Sequence, residues 1–194
     1  CLSDDELLQL LGTSDPTAAQ EHMLKLFDNT SALSFDSNAG KVLGAASPER
    51  ESFTFCTPQS TEGAVESWLA QVEVEMATTL RALMKEGVFV YPKSDRVEWL
   101  KETLGMVVNT AAQIWWTFEV GDVFEAVRGG SKNGMKLFAQ KCHEQLNALI
   151  VAVRTSVGQK LLTKRINTLV IIDVHARDII DSFLRDSVLG AREF

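Results

Sequence analysis

The sequence predicts a mainly α fold: helical bundle blocks with a small β-hairpin or meander near residues 31–57. Three observations predict it. Apolar residues recur at three- and four-residue steps through most of residues 63–194, the spacing of amphipathic helices. Between Ser31 and Thr57 the period shortens to brief apolar–polar segments. Clusters of Gly, Pro, Asn and Ser then punctuate the chain between these runs.

The first helix opens at Ser3, a good N-cap, with Glu6 three residues on as in a capping box, and Gly12 is expected to stop it. Asp15-Pro16 starts a second, with Pro at the first helical position and Met23, Leu26 and Phe27 on one face. "ALSF", "KVLGA" and "SFTFC" follow as short strands, separated by Asp36–Gly40 and by Ser47–Glu51. Pro58–Gly63 reads as a breaker-rich linker, which places a division between residues 1–62 and residues 63–194.

In the second part Leu69, Val72, Met76, Leu80 and Leu83 mark one buried side of a helix from Glu66 to Lys85. The glutamates between 66 and 75 read as its solvated face. Past Pro92 a second long helix is expected to carry Leu100, Leu104, Val107, Ala111, Ile114 and Phe118 on one stripe. Arg128–Gly134 is a loop, another helix begins near Met135, and a turn at Val157-Gly158 leads into a last helix over Leu161–Leu184.

Composition narrows the function classes. The 194 residues are 45% hydrophobic and 23% charged, with a net charge of −7, and no Lys/Arg-rich run is present. Neither nucleic acid nor an anionic membrane is the expected partner. No apolar stretch reaches the roughly 18 residues of a membrane span. Three widely spaced cysteines without a CxxC pair signal neither a disulfide framework nor zinc. The initial Cys1 is expected to reflect a piece of a longer polypeptide.

Two segments concentrate chemistry. In "VIIDVHARDIIDSF", Val170–Phe183, a helix would set Leu169, Ile172, Ala176, Ile179, Ile180 and Phe183 on one stripe, with Val170, Ile171 and Val174 covering much of the other side. Asp173–Arg177 and Arg177–Asp181 are then i,i+4 ion pairs, and His175 lies three residues from Asp178, within hydrogen-bond reach. His22 and His143 have no ligand-like spacing to His175, so a structural histidine is the better reading than a metal ligand. In "QIWWTFEV", Trp115 and Trp116 point about 100° apart on a helix and cannot share one pocket. At least one indole belongs in the core, and the other could meet a partner. Gly129–Lys136 lacks the P-loop order of residues, because Met135 follows Gly134 where Lys is needed. Catalytic, metal and cofactor residues are expected to be absent, and no enzyme is read.

"CLSDDELLQLLG", "HMLKLFDN", "VESWLAQVEVEMATTLRALM", "QIWWTFEV" and "IIDVHARDII" follow in an order and at spacings that resemble the linker region of dynein heavy chains, in its C-terminal part. "IWWT" and "HARD" resemble the axonemal type. The resemblance implies a mechanical element that arches over the AAA+ ring of the same heavy chain, bends when the first module binds ATP, and straightens to drive microtubule-based movement in a cilium or flagellum. It implies no cofactor in the fragment, with ATP, microtubules and other dynein subunits engaged only through the parent motor. Under that reading Trp115, Trp116, Asp173, His175, Arg177, Asp178 and Asp181 are structural or interaction residues. A stand-alone helical interaction module is the alternative.

Overall fold

The structure, a computed structural model, describes residues 2–156 and 158–190. The chain divides into two compact units, residues 1–83 and 84–194. The division falls inside a helix, whereas the sequence reading places it between residues 62 and 63, at the end of the breaker-rich segment Pro58–Gly63.

In the first unit, α1 (Asp4–Gly12) begins with the capping box. The Glu6 amide donates to Ser3 Oγ at 3.3 Å and the Ser3 amide donates to Glu6 Oε2 at 2.9 Å, so two amides left over at the helix start are satisfied reciprocally. The helix starting at Pro16 is a 3₁₀ helix to His22, capped by Asp15, before the short α2 (Met23–Leu26).

The expected meander is a three-stranded antiparallel sheet of β1 (Ala32–Phe35), β2 (Lys41–Ala46) and β3 (Ser52–Ser60), in that order. Pro58, read as linker, lies within β3. Asp36 closes the first turn, its Oδ1 accepting from the amides of Gly40 at 2.8 Å and Lys41 at 3.2 Å. The β2–β3 register slips between Val42 and Gly44, so the five steps from Thr54 to Gln59 run opposite only two steps of β2. Gly44 sits at the slip because a Cβ there would lie 2.3 Å from the Phe53 carbonyl oxygen.

Two amides in that bulge find partners on α3 (Val65–Val90). The Cys56 amide donates to Thr79 Oγ1 at 2.9 Å, and the Thr57 amide to Glu75 Oε1 at 3.0 Å. Glu75 also accepts from Thr79 Oγ1 at 2.8 Å. Glu75 is therefore buried, which corrects the reading of this glutamate as solvated, whereas Glu66 and Glu73 are exposed. The core of the unit gathers Leu10, Met23, Leu33, Val42, Phe55, Trp68, Leu69 and Val72.

The second unit holds the end of α3 with α4 (Arg96–Glu102), α5 (Gly105–Arg128), α6 (Gly134–Thr155) and α7 (Lys160–Gly190). The single long helix expected after Pro92 is two helices. Thr103 and Leu104 both take extended backbone between them. This break rotates the buried stripe. Leu100 is buried in α4, and Val107, Val108, Ala111 and Ala112 in α5, but Ile114 and Phe118 are 45% and 59% exposed. Along α7 the buried positions among residues 160–186 are Ile166, Leu169, Asp173 and Ile180, whereas Ile171 is 71% exposed rather than covered. The expected turn residue Val157 lies outside the described residues.

Candidate functional site

The end of α3 is held by aromatic side chains. The last four carbonyls of a helix lack partners within it, and here two indoles donate to two of them: Trp99 Nε1 to the Gly87 carbonyl at 3.1 Å and Trp115 Nε1 to the Val88 carbonyl at 2.8 Å. Tyr91 lies between these rings, edge-on to Trp99 at 4.9 Å and stacked on Trp115 at 5.8 Å. Gly87 permits the approach. A Cβ at that position would stand 2.4 Å from Val107 Cγ1.

Trp116 takes the other direction, as its 100° offset requires. It packs against the cluster of Met135, Phe138, Ala139, Cys142 and Ile180 on α6 and α7. Both tryptophans are thus partly buried within this unit.

The charged residues of α7 separate onto three partners. Asp173 receives Arg96 in a two-pronged pair: Nη2 donates to Oδ1 at 2.8 Å and Nη1 to Oδ2. The side chains are only 14% and 11% exposed. Asp181 meets His143 Nε2 of α6 at 3.0 Å. Arg177 turns to its neighbour Asp178, with Nε at 2.9 Å and Nη2 at 2.6 Å from Oδ1. Both i,i+4 pairs read from the sequence are therefore replaced, and two of the three new pairs join different helices. For Asp173, the Arg96 guanidinium from α4 reaches both carboxylate oxygens at a largely buried position, whereas Arg177 pairs with the more exposed Asp178. His175 is exposed and makes no hydrogen bond to Asp178.

Arg96, Asp173 and His175 border a cavity of about 160 Å³, whose lining also includes Tyr91, Trp116, Glu119 and Cys142. Burial alone would lower the Arg96 pKa. The hydrogen bond to Asp173 and the electrostatic attraction of Tyr91, Asp173 and Glu119 together more than offset it, so the guanidinium is held above its ordinary value. Burial, followed by the negative charges of Asp173 and Glu119, pushes the Cys142 thiol up to about 11. Glu119 is itself paired with Lys141 at 2.8 Å. Arg96 with Asp173 and Glu119 with Lys141 are matched in pairs, and among the described residues no group of three or more His, Cys, Asp or Glu could hold a metal ion. None of the described helices is long and apolar enough to cross a membrane.

Arg96 and His143 were not singled out from the sequence. Arg96 follows Asp95, which caps α4 through the Val97 and Glu98 amides, and its partner lies 77 residues away. No local spacing announces such a pair.

Residues 1–87 match the family described as Dynein heavy chain, N-terminal region 2. The whole chain aligns with Dynein axonemal heavy chain 10 of Homo sapiens at 46% identity over 197 residues. By sequence it belongs with the dynein heavy chains. Dynein-1-alpha heavy chain of the flagellar inner arm I1 complex of Chlamydomonas reinhardtii is 53% identical over 159 residues, 82% of this chain. Dynein axonemal heavy chain 9 of Homo sapiens is 37% identical across 100% of it. The chain spans 4%, 3% and 4% of these three relatives, so it corresponds to a small part of such a heavy chain. The family model ends near the close of α3, while the axonemal relatives continue through the cluster around Arg96 and Asp173.

Proposed function

We propose that the chain is the C-terminal part of the linker of an axonemal dynein heavy chain, a mechanical element rather than a catalytic one. In this reading it works over the AAA+ ring of the same polypeptide, with ATP and microtubules engaged elsewhere in the parent motor, in a cilium or flagellum. The observation that carries it is the fastening of α7. An element that passes on strain needs helices that cannot slide independently, and packed, paired interfaces shift between discrete arrangements rather than deform smoothly. Arg96–Asp173 ties α7 to α4, and His143–Asp181 ties it to α6. The alignment with axonemal heavy chains across the full length supports the same reading.

The test is made in the parent heavy chain. Arg96→Ala should lower microtubule gliding velocity while ATP turnover persists, because the chemistry lies outside this segment. A variant whose linker is measurably destabilised but whose velocity and stall force are unchanged would remove the mechanical role.

A further inference from the structure

The negative charge of the chain lies in its first unit. Residues 1–83 carry 13 Asp and Glu against 4 Lys and Arg, a net −9, whereas residues 84–194 carry 13 against 15, a net +2. Within that acidic unit α1 and α3 leave an apolar groove of about 290 Å³. Its floor includes Leu10 and Leu69, both buried, and its open side is formed by Leu7 and Leu11, 44% and 49% exposed. Leu7, Leu10 and Leu11 fall at i, i+3 and i+4 on α1, so the helix presents one continuous apolar edge. On the facing helix, Glu66, Ala70 and Glu73 follow at i, i+4 and i+7 and bring two exposed carboxylates to the same groove. Neither carboxylate has a cationic partner among the described residues, and the nearby Lys25 is occupied by Glu6.

We propose that this groove docks a basic amphipathic helix of a partner polypeptide. Apolar side chains at three- and four-residue spacing would fill the space between Leu7, Leu11 and Leu69, the recurring mode in which an amphipathic helix lies in a hydrophobic groove. Lys or Arg on the flanks of that helix would meet Glu66 and Glu73, whose field speeds encounter and fixes which way the helix lies. The net charge of −9 on this unit selects against an acidic helix of the same shape. This inference rests on the groove and its charge, not on the linker reading.

The test uses the 194-residue chain and two fluorescein-labelled peptides of about five helical turns. One has leucines at i, i+3, i+4 and i+7 with lysines elsewhere, and the other has glutamates for the lysines. Anisotropy should show saturable binding of the lysine peptide alone. That binding should weaken about tenfold in Glu66→Gln/Glu73→Gln and in Leu11→Asp, and again when salt rises from about 0.05 to about 0.5 M. Glu21→Gln/Glu49→Gln removes the same charge from residues that do not line the groove and should leave binding within about twofold. Thermal melts confirm that each variant is folded. Equal weakening by both double variants would mean diffuse attraction and overturn the proposal, as would absence of binding by the lysine peptide. So would self-association of the chain that Leu11→Asp abolishes, which would give the groove to a second copy.

Discussion

Arg96 and Asp173, 77 residues apart, meet guanidinium to carboxylate with Nη2 2.8 Å from Oδ1 and both side chains largely withdrawn from solvent. Removing one member of a buried ion pair strands the other charge, which costs far more than the pair is worth. We predict that Arg96→Ala or Asp173→Ala lowers stability by about 3 kcal/mol, and that Arg96→Met/Asp173→Leu loses much less. Chemical denaturation of the three variants checks this. Strict additivity of the two single losses would show that the residues do not act as a pair.

Gly87 is a packing position rather than a flexible one. Gly→Ala in a helix ordinarily stabilises by about 1 kcal/mol. Here the new methyl would stand 2.4 Å from buried Val107, and overpacking costs about 1–3 kcal/mol. Gly87→Ala should therefore lower the melting temperature, and Val107→Ala in the same chain should recover part of the loss. A rise in Tm for the single variant would contradict this account of the α3–α5 approach.

Glu6 carries a pH dependence. Hydrogen bonds from Lys25 and from the Ser3 amide hold its pKa down at about 2, against 4.5 in an unperturbed chain. Its folded pKa is depressed, so the carboxylate contributes stability that is fully present above pH 4.5 and is lost as pH falls toward 2. The Tm gap between the native sequence and Glu6→Gln should be constant from neutral pH down to about 5 and close between about 5 and 2. Added salt should shrink the gap at neutral pH, since the pair is exposed. A gap independent of pH over that window would remove the ionic contribution.

The two described cysteines should react very differently. Cys56 is exposed and Cys142 is buried, with its thiol raised to about 11, and only the thiolate is nucleophilic. Alkylation by iodoacetamide near neutral pH, followed by peptide mapping, should label Cys56 readily and Cys142 only after denaturant is added. Early labelling of Cys142 would show that the α5–α6–α7 cluster opens under native conditions.

Local features were legible in the sequence where one turn of chain decides them. Ser3 and Glu6 form the capping box, Asp15 and Pro16 start a helical turn, and the alternation between residues 31 and 57 becomes three paired strands. Most of the departures depend on more than one turn of chain, several of them on distant partners. Thr103 and Leu104 interrupt a helix whose apolar period runs on through them. Glu75 looks like a surface residue until the bulge in β3 leaves an amide for it to accept. Asp173 and Asp181 have Arg177 within one turn, yet they bind Arg96 and His143 on other helices, partners that no spacing along α7 announces. The divergence of Trp115 and Trp116 follows from helical geometry, but that both are packed within one unit does not.

The sheet has a consequence for how this protein avoids its own kind. A three-stranded sheet has two outer strands, each a row of amides and carbonyls that an unfolded neighbour could extend. On β1, Gln20 imitates a passing strand, its Nε2 donating to the Leu33 carbonyl at 2.6 Å and its Oε1 accepting from the Leu33 amide at 2.8 Å. On β3, Thr79 and Glu75 occupy two amides, and Pro58 offers none. Side chains thus occupy part of each border, and strand addition is opposed there by a single glutamine on one side and one helix face on the other.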